Sequence, residues 1–360
     1  VPPPGWHTVV PARRPAAVDP NESSVPIFST IWSDDREYNE RVDVLDWREL
    51  GWRGLTRRML GATAGDVVIV NGALGFSERW RDMILSTLLR LRRRGVGLVV
   101  TDVTWDPRSV RQESTAGWLW SANRALGRGL VRAVGRHGTV LCFLSTVEVD
   151  HFLTETRSVP ARAVFTPFFT TTPGDREAIV AAAETRRRAT GPYAFAGGDT
   201  LRNWDLLVDA LGSRDLPVRV ATRHTDRRWP PNFSVGPVGR DEFFSLAAGA
   251  SVGVVPLRAD VTRSAGQQTY LNLLYLGVPV VVNDAPGVRD HLDGVPGAWI
   301  TPAADAAAMG DRIGWLLDAD NAGAAREAAG AGAAVVTSRF SESAYLRRIV
   351  DIADELHTDS

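Results

Sequence analysis

The sequence contains no lysine. All 41 Lys-or-Arg positions are therefore arginines, and with the abundant alanine this points to the codon usage of a GC-rich bacterial genome rather than to chemistry. Cysteine occurs once, as Cys142, which excludes an intramolecular disulfide. Within the apolar run TVLCFLS it reads as a core residue, not a nucleophile. The six histidines are scattered and none has metal-ligand spacing. No apolar run approaches the roughly 20 residues needed to cross a bilayer. The opening VPPPGWHTVVPARRP has no apolar stretch of the kind a signal peptide needs, so a cytoplasmic location is expected. A net charge of -1 lends no support to a general nucleic-acid binder.

At 360 residues the chain exceeds the length at which one core usually splits, about 250–300 residues. Short β-branched runs alternate with longer helical stretches, the pattern of parallel α/β architecture. In the first half the expected strands are PIFSTIW from Pro26, DVVIVNG from Asp66, GLVVTDV from Gly97, TVLCFLS from Thr139 and AVFTPFF from Ala163. Between them lie helical segments such as the arginine-rich run through Trp80, Met83, Ile84 and Leu88. Residues 169–177, rich in Thr, Pro and Gly, read as an inter-domain link. A second series follows: YAFAGG, VRVATR, FSVGPV, SVGVVPL, VPVVVND and GAWIT. The expectation is two doubly wound, Rossmann-like domains facing a cleft, over residues 1–170 and 171–340, with a helix over 341–360 crossing back to the first. Ligands in such sheets sit at the carboxyl ends of the strands.

The most informative stretch begins at Ser251: SVGVVPLRADVTRSAGQQTYLNLLYLGVPVVVNDAPGVRDHL. A buried strand ends in a polar loop that reaches Arg263, Ser264, Ala265 and Gly266, and a helix starts near Gln267. Small residues let a ligand approach the backbone, and a helix N-terminus offers unpaired N–H groups with about half a unit of positive charge. Such a place suits a diphosphate.

This stretch, with YAFAGGDTLRNWDLLVDAL and FSVGPVGRDEFFSLAAGA upstream, resembles the C-terminal domain of retaining GT-B glycosyltransferases, particularly glycosyltransferase family four. The resemblance covers residues 193–293. It implies a fold of two Rossmann-like domains and transfer of a sugar from a nucleoside-diphosphate donor to an acceptor hydroxyl, with retention and without metal or other cofactor. The family's glycine turn falls on Gly197 and Gly198, and its phosphate-holding basic residue on Arg202, whose planar fork suits phosphate oxygens. Arg263 is a second phosphate candidate. Ser264, Ala265, Gly266, Gln267 and Gln268 would surround the diphosphate, and the backbone near Val235 and Val238 would meet the base. The family often carries two glutamates with seven residues between them; here those positions hold Ser264 and Asn272. Asn272 can still hydrogen-bond ribose hydroxyls. A nucleotide-sugar epimerase and a catalytically inactive donor-binding subunit remain open on the same fold.

The first half resembles the family only in layout. Its cleft-facing loops are NGALGF from Asn71 and TDVTWDPRS from Thr101. Asp102 and Asp106 are the acidic candidates for orienting or deprotonating an acceptor, which is a small molecule, a glycan or a lipid-linked sugar. Ser145 and Thr146 end a further strand beside the same cleft. The arginines at 79, 81, 90 and 92–94 form a run that suits either a solvated helix face or weak attraction to anionic lipid. Asp318-Ala319-Asp320 has the form of a metal-binding DXD motif but reads as an exposed helix end.

Overall fold

The computed structural model describes residues 26–71, 80–92, 95–103, 117–156, 159–172 and 175–358. The first half runs β1 (Ile27–Ser29), α1 (Arg36–Arg41), β2 (Asp43–Val44), α2 (Trp47–Gly61), β3 (Val67–Asn71) and α3 (Trp80–Arg92). It continues with β4 (Gly97–Thr101), α4 (Gly117–Val134), β5 (Thr139–Phe143), α5 (Thr146–Glu155) and β6 (Arg162–Phe165). The second half runs α6 (Arg176–Thr190), β7 (Ala194–Gly197), α7 (Trp204–Leu211), β8 (Val218–Ala221), β9 (Phe233–Gly236) and α8 (Arg240–Gly249). Then follow β10 (Val252–Val255), α9 (Gln267–Tyr275), β11 (Val280–Asn283), α10 (Val288–Leu292) and β12 (Ala298–Thr301). Three helices close the chain: α11 (Ala306–Leu317), α12 (Ala322–Arg339) and α13 (Glu342–Thr358).

Two six-stranded sheets result, in the orders β2-β1-β3-β4-β5-β6 and β12-β11-β10-β7-β8-β9. Every strand pairing is parallel, from Ile27 opposite Val67 in the first to Asn283 opposite Thr301 in the second. The central strands VVIV, GLVVT, TVLCF and VVVN are buried along their whole length, as strands covered by helices on both faces must be. All eleven expected strands form, most of them shorter than the run that announced them; AVFTPFF, for example, ends at Phe165. The first is shorter than PIFSTIW suggested, and β2, two residues long, carries too little pattern to be read from sequence.

The C-terminal helix α13 lies on the first sheet, where Leu346, Ile349, Ile352 and Ala353 are buried with Ile27, Val67, Ile69, Val99 and Val140. Cys142 is buried in that same cluster, and burial pushes its thiol up to about 12. Arg90 departs from the basic face that the sequence suggested, whereas Arg92 on the same helix is exposed. The Arg90 side chain is only 5% exposed and donates to the Val96 and Gly138 carbonyls at 2.6 Å. Burial lowers its pKa to about 10. Arg79, Arg93 and Arg94 lie outside the described residues. Asp318 caps the end of α11, and its carboxylate accepts from the Asp320 N–H. Among the described residues no helix is long and apolar enough to cross a membrane.

Candidate functional site

In the second sheet the chain reverses direction of winding between β7 and β10, which are neighbours though far apart in sequence. A crevice opens at such a point because the two following loops leave in opposite directions. Here those loops are tied at their base: Asn203 N–H donates to the Pro256 carbonyl and Arg258 N–H to the Leu201 carbonyl, both at 3.0 Å. Above this tie lies a cleft of about 350 Å³, within the size range of small-molecule sites. Asp102, Leu144 and Phe168 line it from the first half, and residues 198–200, 202 and 263–269 line it from the second.

Gly197 closes β7 and Gly198 begins the turn with φ +101, a left-handed backbone that glycine adopts without steric cost. A Cβ on Gly198 would stand 2.4 Å from Arg202 Nη2, so the glycine is also the floor beneath the guanidinium. Arg202 donates from Nε to the Gly197 carbonyl (2.9 Å), from Nη1 to the Thr200 carbonyl (2.8 Å) and from Nη2 to Thr269 Oγ1 (2.9 Å). Three of its five N–H groups are thereby used, leaving one on each terminal nitrogen for a ligand. Burial lowers Arg202 to about 10, so it keeps its charge at neutral pH. Asp199 beside it also lines the cleft. Burial opposes its charge, but donors from Arg223 and Thr222 outweigh that and hold it near 2.

The mouth of α9 forms the opposite wall. Its N-cap, Gly266, is left-handed at φ +84 and brings no side chain to the first-turn N–H groups. A Cβ there would stand 2.9 Å from Leu257. Ser264 and Ala265 are buried, Gln267 is 6% exposed and Gln268 points outward. Gln267 Nε2 donates to Ser264 Oγ at 2.6 Å. Arg263 comes within 4.0 Å of Asp102 across the cleft. Asp102 holds a left-handed backbone, φ 49, at the end of β4, the kind of outlier that collects at functional sites.

The remaining assignments fare differently. Asn272 is 3% exposed and its amide is committed to the inter-domain link. Its Oδ1 accepts from Thr171 N–H (2.8 Å) and Thr172 Oγ1 (3.2 Å), and its Nδ2 donates to Thr171 Oγ1 (3.1 Å). Val235 and Val238 are half-buried in and just beyond β9 and pack against the cores on either side of the sheet. Neither they nor Asn272 lines the cleft. Asp106 and residues 72–76 of the NGALGF loop lie outside the described residues.

Two buried groups that bond to cleft-lining residues, Glu148 to Ser264 and His291 to Phe168, have no counterpart among the sequence candidates. Glu148 sits in the first turn of α5, whose N-cap is Ser145. Its Oε2 accepts from Ser145 Oγ (3.0 Å) and, across the domain boundary, from Ser264 Oγ (2.7 Å). Burial pushes its carboxyl up to about 7, against the pull of Ser264 and Arg263. The spacing Ser145-x-x-Glu148 is a capping-box pattern, and that signal was legible, though its partner was not. His291, 1% exposed on α10, has Nδ1 at 2.8 Å from the Gly287 carbonyl and accepts from Phe168 N–H at Nε2 (3.2 Å). Burial lowers it to about 4, so the ring is neutral. Nearby, Asp290 accepts from Thr146 N–H and Thr146 Oγ1, both at 2.8 Å. Gly287 fits between the halves: a Cβ on it would stand 2.6 Å from that of Ser264 and 3.1 Å from that of Ser145.

Comparison with solved structures matches this fold over nearly the whole chain. Sucrose-phosphate synthase from Thermosynechococcus elongatus superposes with a TM-score of 0.60 at 16% identity, covering 95% of this chain and 88% of that one. Anabaena HepE in complex with UDP gives 0.59 at 11% identity, covering 92% and 100%. A UDP-forming trehalose-phosphate synthase from Burkholderia xenovorans gives 0.55 at 13%, covering 88% and 81%. The fold is GT-B. No family model matches the sequence, and no curated protein matches it. In GT-B terms the described cleft lies between the two sheets, with the glycine turn, Arg202 and the α9 mouth on the C-terminal side and Asp102, Leu144 and Phe168 on the other.

Proposed function

We propose that the protein is a retaining glycosyltransferase that moves a sugar from a nucleoside-diphosphate sugar to an acceptor hydroxyl. One observation carries the reading. The uncapped mouth of α9 opens into the same cleft as Arg202 and Arg263, so backbone N–H groups and two guanidiniums converge on one place with room for a diphosphate. The solved complexes of HepE with UDP and UDP-glucose support it by analogy of fold.

In the proposed reaction the bond from the sugar's anomeric carbon to the diphosphate oxygen breaks, and a bond to the acceptor oxygen forms. Charge developing on the leaving diphosphate is met by the two N–H groups Arg202 has left, by Arg263 and by the first turn of α9. Donors already fixed by their own partners lose little order when that charge appears. Asp102 takes the acceptor's proton. The positive charge on this reading comes from the protein alone, and no metal is called for.

The test is thermal denaturation in the presence of UDP, GDP, ADP and TDP in turn. A ligand at a hundred times its Kd stabilises by about 2.7 kcal/mol, and one of the four is expected to do so. Indifference to all four sinks the reading. Release of diphosphate from the matching nucleotide sugar only when an acceptor is added separates transfer from epimerisation and from binding alone.

A further inference from the structure

Glu148 is placed where a helix-capping glutamate has no need to be. In a capping box the glutamate reaches back to the N-cap backbone N–H. Here Ser145 Oγ still accepts from Glu148 N–H at 3.1 Å, so the helix start is capped without the carboxylate. The carboxyl instead enters the seam between the two halves, at a desolvation cost large enough to move its pKa. What meets it there is Ser264 Oγ at 2.7 Å, and Ser264 Oγ in turn accepts from Gln267 Nε2 at 2.6 Å. Gln267 is the first residue of α9. A continuous chain of hydrogen bonds therefore runs from the first turn of α5 in one half to the first turn of α9 in the other. Ser264 has one hydroxyl proton, and giving it to Glu148 leaves its lone pairs for the Gln267 amide.

We propose that Glu148 is a positioning residue: a clasp through which the N-terminal half, when closed, fixes the shape of the loop over 262–267 and of the α9 mouth that would receive the diphosphate. The proposal rests on the reading of that mouth as the leaving-group site. Separating the halves breaks the Glu148–Ser264 bond and releases Ser264 and Gln267 to other rotamers. Closure and occupancy of the α9 mouth are then coupled, and such coupling is reciprocal. A diphosphate in the mouth favours the closed state, and the closed state tightens the mouth. Gly287 belongs to the same device, because any side chain there would hold Ser264 and Ser145 apart.

The experiment is hydrogen–deuterium exchange of peptides spanning 262–270, with UDP affinity measured in parallel, on wild type, Glu148→Ala, Glu148→Gln, Ser264→Ala and the Glu148→Ala/Ser264→Ala pair. Glu148→Ala and Ser264→Ala are each expected to raise exchange in that segment about fivefold and weaken UDP about tenfold. The pair should do no more than either alone, since both cut one chain. Glu148→Gln keeps an oxygen for both hydroxyls and is expected to stay within twofold of wild type in both readouts. Unchanged exchange in Glu148→Ala overturns the proposal, as does additivity in the pair or a Glu148→Gln variant as impaired as the alanine. Should Glu148→Ala fail to fold, Ser264→Ala and Glu148→Gln carry the same test. A wild-type protein that ignores every nucleoside diphosphate refutes the proposed function, while the exchange measurement still decides the clasp.

Discussion

Asp102 Oδ1 and Arg263 Nη2 stand 4.0 Å apart on opposite walls of the cleft, one from each half of the chain. The separation is too long for a hydrogen bond and short enough for attraction. Neither side chain is more than a quarter exposed. Arg263→Ala is therefore expected to lower UDP affinity about tenfold while the protein still folds. Calorimetric titration and denaturant melts on the same preparation check the two halves of that statement.

Gly198→Ala is expected to be disproportionately costly. It places a Cβ on a backbone at φ +101 and drives it to 2.4 Å from Arg202 Nη2. A loss of about 1–3 kcal/mol follows from the backbone alone, and the displaced guanidinium should take nucleotide binding with it. Wild-type affinity in a folded Gly198→Ala protein would show that Arg202 does not hold phosphate from this pose.

Asn272→Ala probes the link, not the ribose. Its amide satisfies Thr171 and Thr172 in a buried setting, and removing it strands those groups at a cost of about 1–3 kcal/mol. Urea denaturation should show that loss while UDP affinity changes less than threefold. A large affinity loss at full stability would restore the ribose role.

Glu148 and His291 set opposing pH dependences. Glu148 is raised from 4.5 to about 7 in the folded state. Its favourable contribution is complete below 4.5 and is lost as pH rises through 7, because the unfolded chain gives up the proton first. His291 is lowered from 6.5 to about 4, so its contribution is complete above 6.5 and is lost as pH falls toward 4. Over pH 4.5–6.5 the two slopes oppose each other. Glu148→Gln should leave the histidine's slope exposed, with the melting temperature rising with pH across that window by more than in wild type. The groups facing Glu148 in this balance are Arg263 and Asp102, with Tyr270 also sensing its charge. An unchanged pH profile in Glu148→Gln would show that the carboxyl titrates normally.

What the sequence by itself determined was local. Alternation of Val-rich runs with helical stretches specifies strands buried on both faces, and a run such as VVVN has nowhere else to go. The glycine turn at Gly197 and Gly198 and the small residues before Gln267 also announce themselves, because close backbone approach leaves a mark in residue type. The tertiary structure decided which surfaces meet. Asn272 finds Thr171 from 101 positions away, and Ser264 finds Glu148 from 116. Arg90, legible only as one charge in a basic run, turns inward because two carbonyls await it there. Such pairings depend on how the two sheets come to rest against each other, and polar side chains carry no periodicity that records a partner in another domain.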